Sequence, residues 1–181
     1  MKLPEDVPVV DFSEGFDPAQ FLDGVWGMGG YAEHRPGMYT APQYRNERNI
    51  HMGFDVWAPP DESVYAFSDG QIAYMHNHNQ IGNYGPTLVV RHTLTDKTLF
   101  ALYGHLSEAT LQQWAPGDRV EPGDLLGRLG TVKENGGWVP HLHLQLCNTD
   151  PGEADMPGVV AKRDLEKALK IYPDPGFLFG L

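Results

Sequence analysis

Eight histidines and a single cysteine decide which chemistry this chain has available. His51-Met52-Gly53-Phe54-Asp55 sets an imidazole and a carboxylate four residues apart. A neutral imidazole nitrogen and a carboxylate oxygen both bind divalent metals well, at ~2.0–2.2 Å for zinc. Gly53 within the segment and Pro59-Pro60 beyond it favour a turn entering a strand over a helix face. His141-Leu142-His143-Leu144-Gln145-Leu146 alternates with period two. On a strand, its two imidazoles share one face and its leucines the other. Burying two such rings without partners is costly. The pair is therefore either an exposed polar face or a functional one, able to supply one metal ligand and one residue beside the metal. Tyr103-Gly104-His105-Leu106 ends an apolar strand on a further histidine.

These groups need elements to hold them. From Ile50 to Leu146 the pattern is β. Val64 to Phe67 and Gln71 to Met75 flank Ser68-Asp69-Gly70, a hairpin signal. Thr87 to His92 and Thr98 to Tyr103 flank Thr95-Asp96-Lys97, and Arg119-Val120 and Asp124 to Gly127 flank Glu121-Pro122-Gly123. Short strands at this spacing predict an antiparallel sheet or sandwich, not βαβ units. Residues 1–45 read as an irregular arm. Within it Asp17-Pro18 opens one short helix, and Gly27 to Tyr31 is loop. A C-terminal helix is expected over Val160–Ile171, with Leu165, Ala168, Leu169 and Tyr172 at helical spacing and Pro173 and Pro175 stopping it. The division is then 1–45 (arm), 46–150 (β core) and 151–181 (extension with a short helix).

Composition excludes several classes. The 181 residues carry 13 Lys plus Arg against 24 Asp plus Glu, a net charge of −11, which argues against nucleic acid as a partner. One cysteine permits neither an internal disulfide nor a thiolate-rich zinc site. No apolar run approaches the ~18–20 residues of a membrane span. Met1-Lys2-Leu3-Pro4-Glu5-Asp6 carries acids where a signal peptide would be apolar, so a cytoplasmic protein is expected. The 21 Gly and 15 Pro are dispersed and signal many turns.

The remaining candidates have plainer readings. Tyr39, Tyr44 and Arg45 either pack loops or line a cleft and steady an oxyanion. His76 and His78 belong to a solvated turn. His34, between Glu33 and Arg35, belongs to an ion-paired surface segment. Cys147 is a small buried apolar residue.

Taken in order, the three histidine segments resemble the lysostaphin/LytM-type zinc metallopeptidases, the glycyl-glycine endopeptidases. That family shows His-x-x-x-Asp, then a Tyr-x-His-Leu-like segment, then His-x-His. The likeness spans residues 50 to 147, including the Asp69-Gly70 turn and the Pro116 to Asp124 segment. It implies a mainly β fold with an antiparallel, barrel-sandwich-like core of the duplicated hybrid motif type. It implies one zinc ion per chain, bound by His51, Asp55 and His143, with His105 and His141 beside the zinc-bound water as base and oxyanion stabiliser in an order left open. It implies a peptide substrate containing Gly or D-amino acids, as in peptidoglycan. A narrower likeness runs through Tyr31 to Pro36, Ile50 to Asp55, Asn135 to Gln145 and Pro173-Asp174-Pro175. It is to the peptidase-like domain fused to phosphotransferase and class III aminotransferase domains in some bacterial proteins. Trp138-Val139-Pro140 departs from the small residues usual before the His pair. Two rival readings stand beside this one. A metal-binding interaction domain without activity would keep the same residues. A lipoyl- or biotinyl-type carrier would need a lysine at the hairpin tip, and Ser68-Asp69-Gly70 has none.

Overall fold

The strands Gly85–Thr93 and Thr98–Gly104 lie in the middle of a seven-stranded antiparallel sheet. The computed structural model describes residues 1–181 apart from Asn46 and Asp96, and their side chains apart from those of Leu22 and Asp23. The strands are β1 (Gly27–Gly29), β2 (Arg48–His51), β3 (Phe54–Trp57), β4 (Ser63–Tyr65), β5 (Gly70–His78), β6 (Gly85–Thr93), β7 (Thr98–Gly104), β8 (Arg119–Val120), β9 (Leu125–Arg128), β10 (His141–Cys147) and β11 (Val159–Ala161). The large sheet has the order β1-β3-β10-β7-β6-β5-β8, and two small sheets pair β2 with β11 and β4 with β9. This is the mainly antiparallel β architecture expected from the spacing, with a short C-terminal helix, α1 (Leu165–Ile171). Among the described residues no helix is long and apolar enough to cross a membrane.

Both faces of the large sheet are covered, so its central strands are buried on both sides. Leu142, Leu144 and Leu146 of β10 join Val56, Leu88, Val90, Ala101 and Tyr103 in the main core, closed by Val64 and Leu126 of the β4–β9 pair. His141, His143, Gln145 and Cys147 occupy the other face of β10, also buried. Period-two alternation therefore holds, but the polar face is not a wet one.

Two of the three hairpins differ from expectation. β6 and β7 pair as anticipated, with Asp96 of their connection outside the described residues. Ser68-Asp69-Gly70 does not close a hairpin. Neither Asp69 nor Gly70 takes the positive φ that a type I′ turn requires. The chain instead passes from β4, paired to β9, into β5, paired to β6 and β8. Glu121-Pro122-Gly123-Asp124 is a true turn, with Gly123 at φ 90° and the Asp124 N–H donating to Glu121 O at 3.0 Å. It too connects two sheets, β8 of the large one and β9 of the small one. Side-by-side crossings of this kind give the core its sandwich character.

Other local readings are corrected as well. Gly27-Met28-Gly29 is not loop but edge strand β1, antiparallel to β3. The glycines that hide it from propensity are required there. A Cβ on Gly27 would press on Phe21, and one on Gly29 would lie 2.9 Å from Val10 O. The expected 160–171 helix is shorter. Buried, β-branched Val159 and Val160 pair with β2 as β11, and one 3₁₀ turn precedes α1. His76 and His78 lie on β5 rather than in a turn, their ring centroids 4.6 Å apart. The Asp17-Pro18 helix forms as a 3₁₀ segment over Pro18–Gly24, with the Asp17 side chain accepting from the Ala19 N–H.

Candidate metal centre

Three neighbouring strands and one turn bring the candidate residues together. In the β3–β10 register Asp55 sits directly opposite His143, and in the β10–β7 register His143 sits opposite Gly104. His51 ends β2, and the two-residue connection Met52-Gly53 folds it back over Asp55. His105 follows β7 with φ 63°, a left-handed conformation uncommon for a non-glycine residue. Its N–H donates to Tyr84 O and its C=O accepts from the Gly130 N–H, both at 2.9 Å, and these bonds hold it there. All five residues are between 1% and 4% exposed.

The hydrogen-bond partners assign the imidazole tautomers. His51 Nδ1–H donates to Gly30 O at 2.8 Å, and His143 Nε2–H donates to Gln145 Oε1 at 3.2 Å. His51 Nε2, His143 Nδ1 and Asp55 Oδ1 then face one another as bare lone pairs. Their separations are 3.0 Å (His51 to His143), 3.1 Å (His143 to Asp55) and 3.3 Å (His51 to Asp55). Three acceptors without a hydrogen between them repel, and a cation among them removes the repulsion. Two nitrogens and one carboxylate oxygen suit zinc and other divalent ions, and leave a coordination position open. Among the described residues these three form a group able to hold a metal ion.

Two further imidazoles flank that point. His105 Nδ1–H donates to Asn135 O at 2.9 Å, and His141 Nδ1–H donates to Val139 O at 2.7 Å, so each keeps a bare Nε2. His141 Nε2 lies 3.8 Å from Asp55 Oδ1, and the two ring centroids are 4.3 Å apart. Trp57 stacks on His141 at 5.4 Å.

Electrostatics reinforce the assignment. Burial, then the nearby Arg35 guanidinium, pushes His51 down to about 4. Burial lowers His141, and burial together with its imidazole neighbours holds His105 well below the usual histidine range. Burial alone would raise Asp55, but His51, Arg35 and His141 around it hold its carboxyl well below the carboxylate range. At neutral pH His51, His105 and His141 are therefore neutral imidazoles around one carboxylate.

Gly53 is part of the geometry, because a Cβ there would fall inside the His143 imidazole. Gly53→Ala is expected to lower metal affinity at least tenfold and to cost about 1–3 kcal/mol through overpacking. Chelator competition and denaturant unfolding of the metal-free protein measure the two effects.

The site opens into a cleft of about 620 Å³, lined among others by Met38, Tyr39, Tyr44, Trp138, Asp155 and Tyr172. Tyr39 and Tyr44 thus line the cleft, with the Tyr39 hydroxyl accepting from Arg35 Nη1 at 3.2 Å and the Tyr44 hydroxyl donating to Gly82 O. Arg45 is exposed and outside the lining. His34 is exposed on the sequence side of a bridge to Ile50, but its neighbour Arg35 is not a surface residue. Arg35 is 1% exposed and its Nη1 donates to Asp55 Oδ2 at 2.6 Å. No sequence signal distinguishes it from an ordinary Glu-x-Arg pair. Gln145 was also passed over, although the period-two face of β10 already pointed to it.

Known proteins resemble the chain in family and in fold. The model of peptidase family M23 matches residues 49–154. No curated protein shows significant similarity to the chain. Among solved structures, the catalytic domain of the antimicrobial peptidase lysostaphin from Staphylococcus simulans is 19% identical. That match covers 83% of this chain and 98% of that one, with a TM-score of 0.52. The catalytic domain of a variant of the prophage-encoded M23 protein EnpA from Enterococcus faecalis is 21% identical. It covers 75% of this chain and 88% of that one, with a TM-score of 0.50. At such identities the structural likeness is one of fold.

Proposed function

The chain belongs to peptidase family M23 and is a metallopeptidase, and from that premise we propose that it is a zinc-dependent endopeptidase acting through an activated water. His51, Asp55 and His143 hold the ion, and His105 and His141 serve the water and the scissile carbonyl. The observation that carries this reading is the convergence of three bare acceptor atoms beside two imidazoles whose Nε2 atoms are also bare.

When bound, zinc supplies a Lewis acid that lowers the pKa of a water toward ~7 and polarises the carbonyl. The chain's own groups supply the proton handling. Both flanking imidazoles are neutral at pH 7, because burial disfavours their charged forms. Either Nε2 can therefore accept a proton from the attacking water. Once protonated it becomes a donor, able to return that proton to the leaving amine. To steady the oxyanion the second imidazole would have to carry a proton on its own Nε2, because a bare nitrogen there would repel it. The backbone carbonyls on Nδ1 of each ring keep both Nε2 atoms aimed inward throughout.

The substrate is a peptide, and segments containing Gly or D-amino acids, as in peptidoglycan, fit the family best. Trp138 lines the cleft, with its Nε1–H donating to Asn83 O at 3.1 Å, and gives a bound peptide an indole to pack against. The charge of −11 disfavours an intact anionic wall polymer and favours smaller peptides.

Metal analysis of the purified chain is expected to find about one zinc per chain. A peptide-library screen containing muropeptides and Gly-rich peptides is expected to give cleavage that a chelator abolishes and zinc restores. A chain without tightly bound metal overturns the site, and a zinc-loaded chain that cleaves nothing leaves only a metal-binding domain.

A further inference from the structure

Among the described residues Arg35 is the one buried cation at this site, and it comes from a segment upstream of the family-matched core. Its Nη1 donates to Asp55 Oδ2 at 2.6 Å and to the Tyr39 hydroxyl at 3.2 Å, and its Nε donates to Glu33 Oε2 at 2.5 Å. The guanidinium lies 5.4 Å from the Phe12 ring centre and 5.7 Å from that of Trp57. Gly30 closes the remaining side, since any Cβ there would overlap Nη2. Glu33 is fixed in turn, with its Oε1 accepting from the Phe12 N–H at 3.1 Å. A guanidinium so enclosed cannot swing away from Asp55.

The same segment sets the other ligand of the β2–β3 turn. Gly30 O orients the His51 ring, and Glu33 O accepts from the His51 N–H at 2.9 Å. The Arg35 N–H donates to Asn49 O at 2.8 Å. Residues 30–35 thus touch both His51 and Asp55.

We propose that Arg35 is a positioning residue for the metal ligand Asp55: it occupies Oδ2, leaves Oδ1 as the single ligand oxygen, and offsets part of the carboxylate charge. This inference rests on the metallopeptidase reading of the site. A carboxylate without a partner on Oδ2 can turn and chelate an ion through both oxygens. Arg35 denies that geometry and preserves the open position that hydrolysis needs.

The test uses the full chain with zinc and with Co²⁺ as a spectroscopic probe. Arg35→Met, of similar length but without charge, is expected to lower zinc affinity about 10–100-fold by chelator competition. Its Co²⁺ visible bands are expected to weaken as Asp55 binds through both oxygens and the coordination number rises. Arg35→Lys retains one charged donor for Oδ2 and is expected to recover part of both signals. Should Arg35→Met not fold, Glu33→Gln reads the same property, with a several-fold affinity loss expected from the loosened guanidinium. Wild-type affinity together with an unchanged Co²⁺ spectrum in the folded variant overturns the inference. Failure of the wild-type chain to bind zinc overturns the metallopeptidase site itself, which separates the two outcomes.

Discussion

Asp55→Ala is expected to empty the metal site and destabilise the fold by about 3 kcal/mol, near the lower end of the cost of breaking a buried ion pair. Asp55 is 1% exposed and lies within 3.8 Å of Arg35, His51, His141 and His143. Its loss removes the proposed ligand oxygen and also one of the two carboxylates paired with a buried guanidinium. Glu33 remains on the Arg35 Nε, which keeps the cost from being larger. Asp55→Asn separates the two effects. Its amide oxygen can still accept from Arg35, so less stability is lost, but the charge that attracts a divalent ion is gone. Metal analysis and urea unfolding of metal-free samples report each part. Unchanged metal content in Asp55→Ala would remove this residue from the site.

The second large effect lies in turnover without metal loss. His141→Ala and His105→Ala are each expected to keep the ion and to lower peptide hydrolysis by about 10²–10⁴. Neither is needed to complete the His51–Asp55–His143 set, and each has its own carbonyl anchor. The two variants should differ in stability. His141 leaves a gap against Trp57, whereas His105 vacates a left-handed backbone position where alanine remains strained. Metal content measured beside the cleavage rate decides the matter. Loss of the ion from either variant would make that residue a ligand, and full activity would release it from any part in the reaction.

The convergence of these side chains was legible because they reside in short motifs. His51-x-x-x-Asp55 and His141-x-His143 each bring two groups together through local geometry alone, and period two in β10 placed both imidazoles on one face. His105 could be picked out only in company, since one histidine after an apolar strand says little. What stayed hidden was long-range. Arg35 reaches Asp55 across 20 residues, and nothing in Glu33-His34-Arg35 announces burial. The two misjudged hairpins failed for a related reason. Asp69-Gly70 and Pro122-Gly123 do mark changes of direction, but a turn residue does not tell which strand the chain will meet next. Here each led into another sheet. β1 was missed because its glycines, poor strand formers, are there to admit Phe21 and the Val10 backbone.

The pairing of Asp55 with His143 carries a consequence for assembly of the molecule. These residues are 88 positions apart and directly opposed across β3 and β10. A slip of one residue would set Leu142 or Leu144 against Asp55 and turn the imidazoles toward the apolar core. An ion gripped by both strands admits one alignment and rejects its neighbours. It would act as a proofreader of strand register, stabilising the chain only after its two distant halves have met correctly.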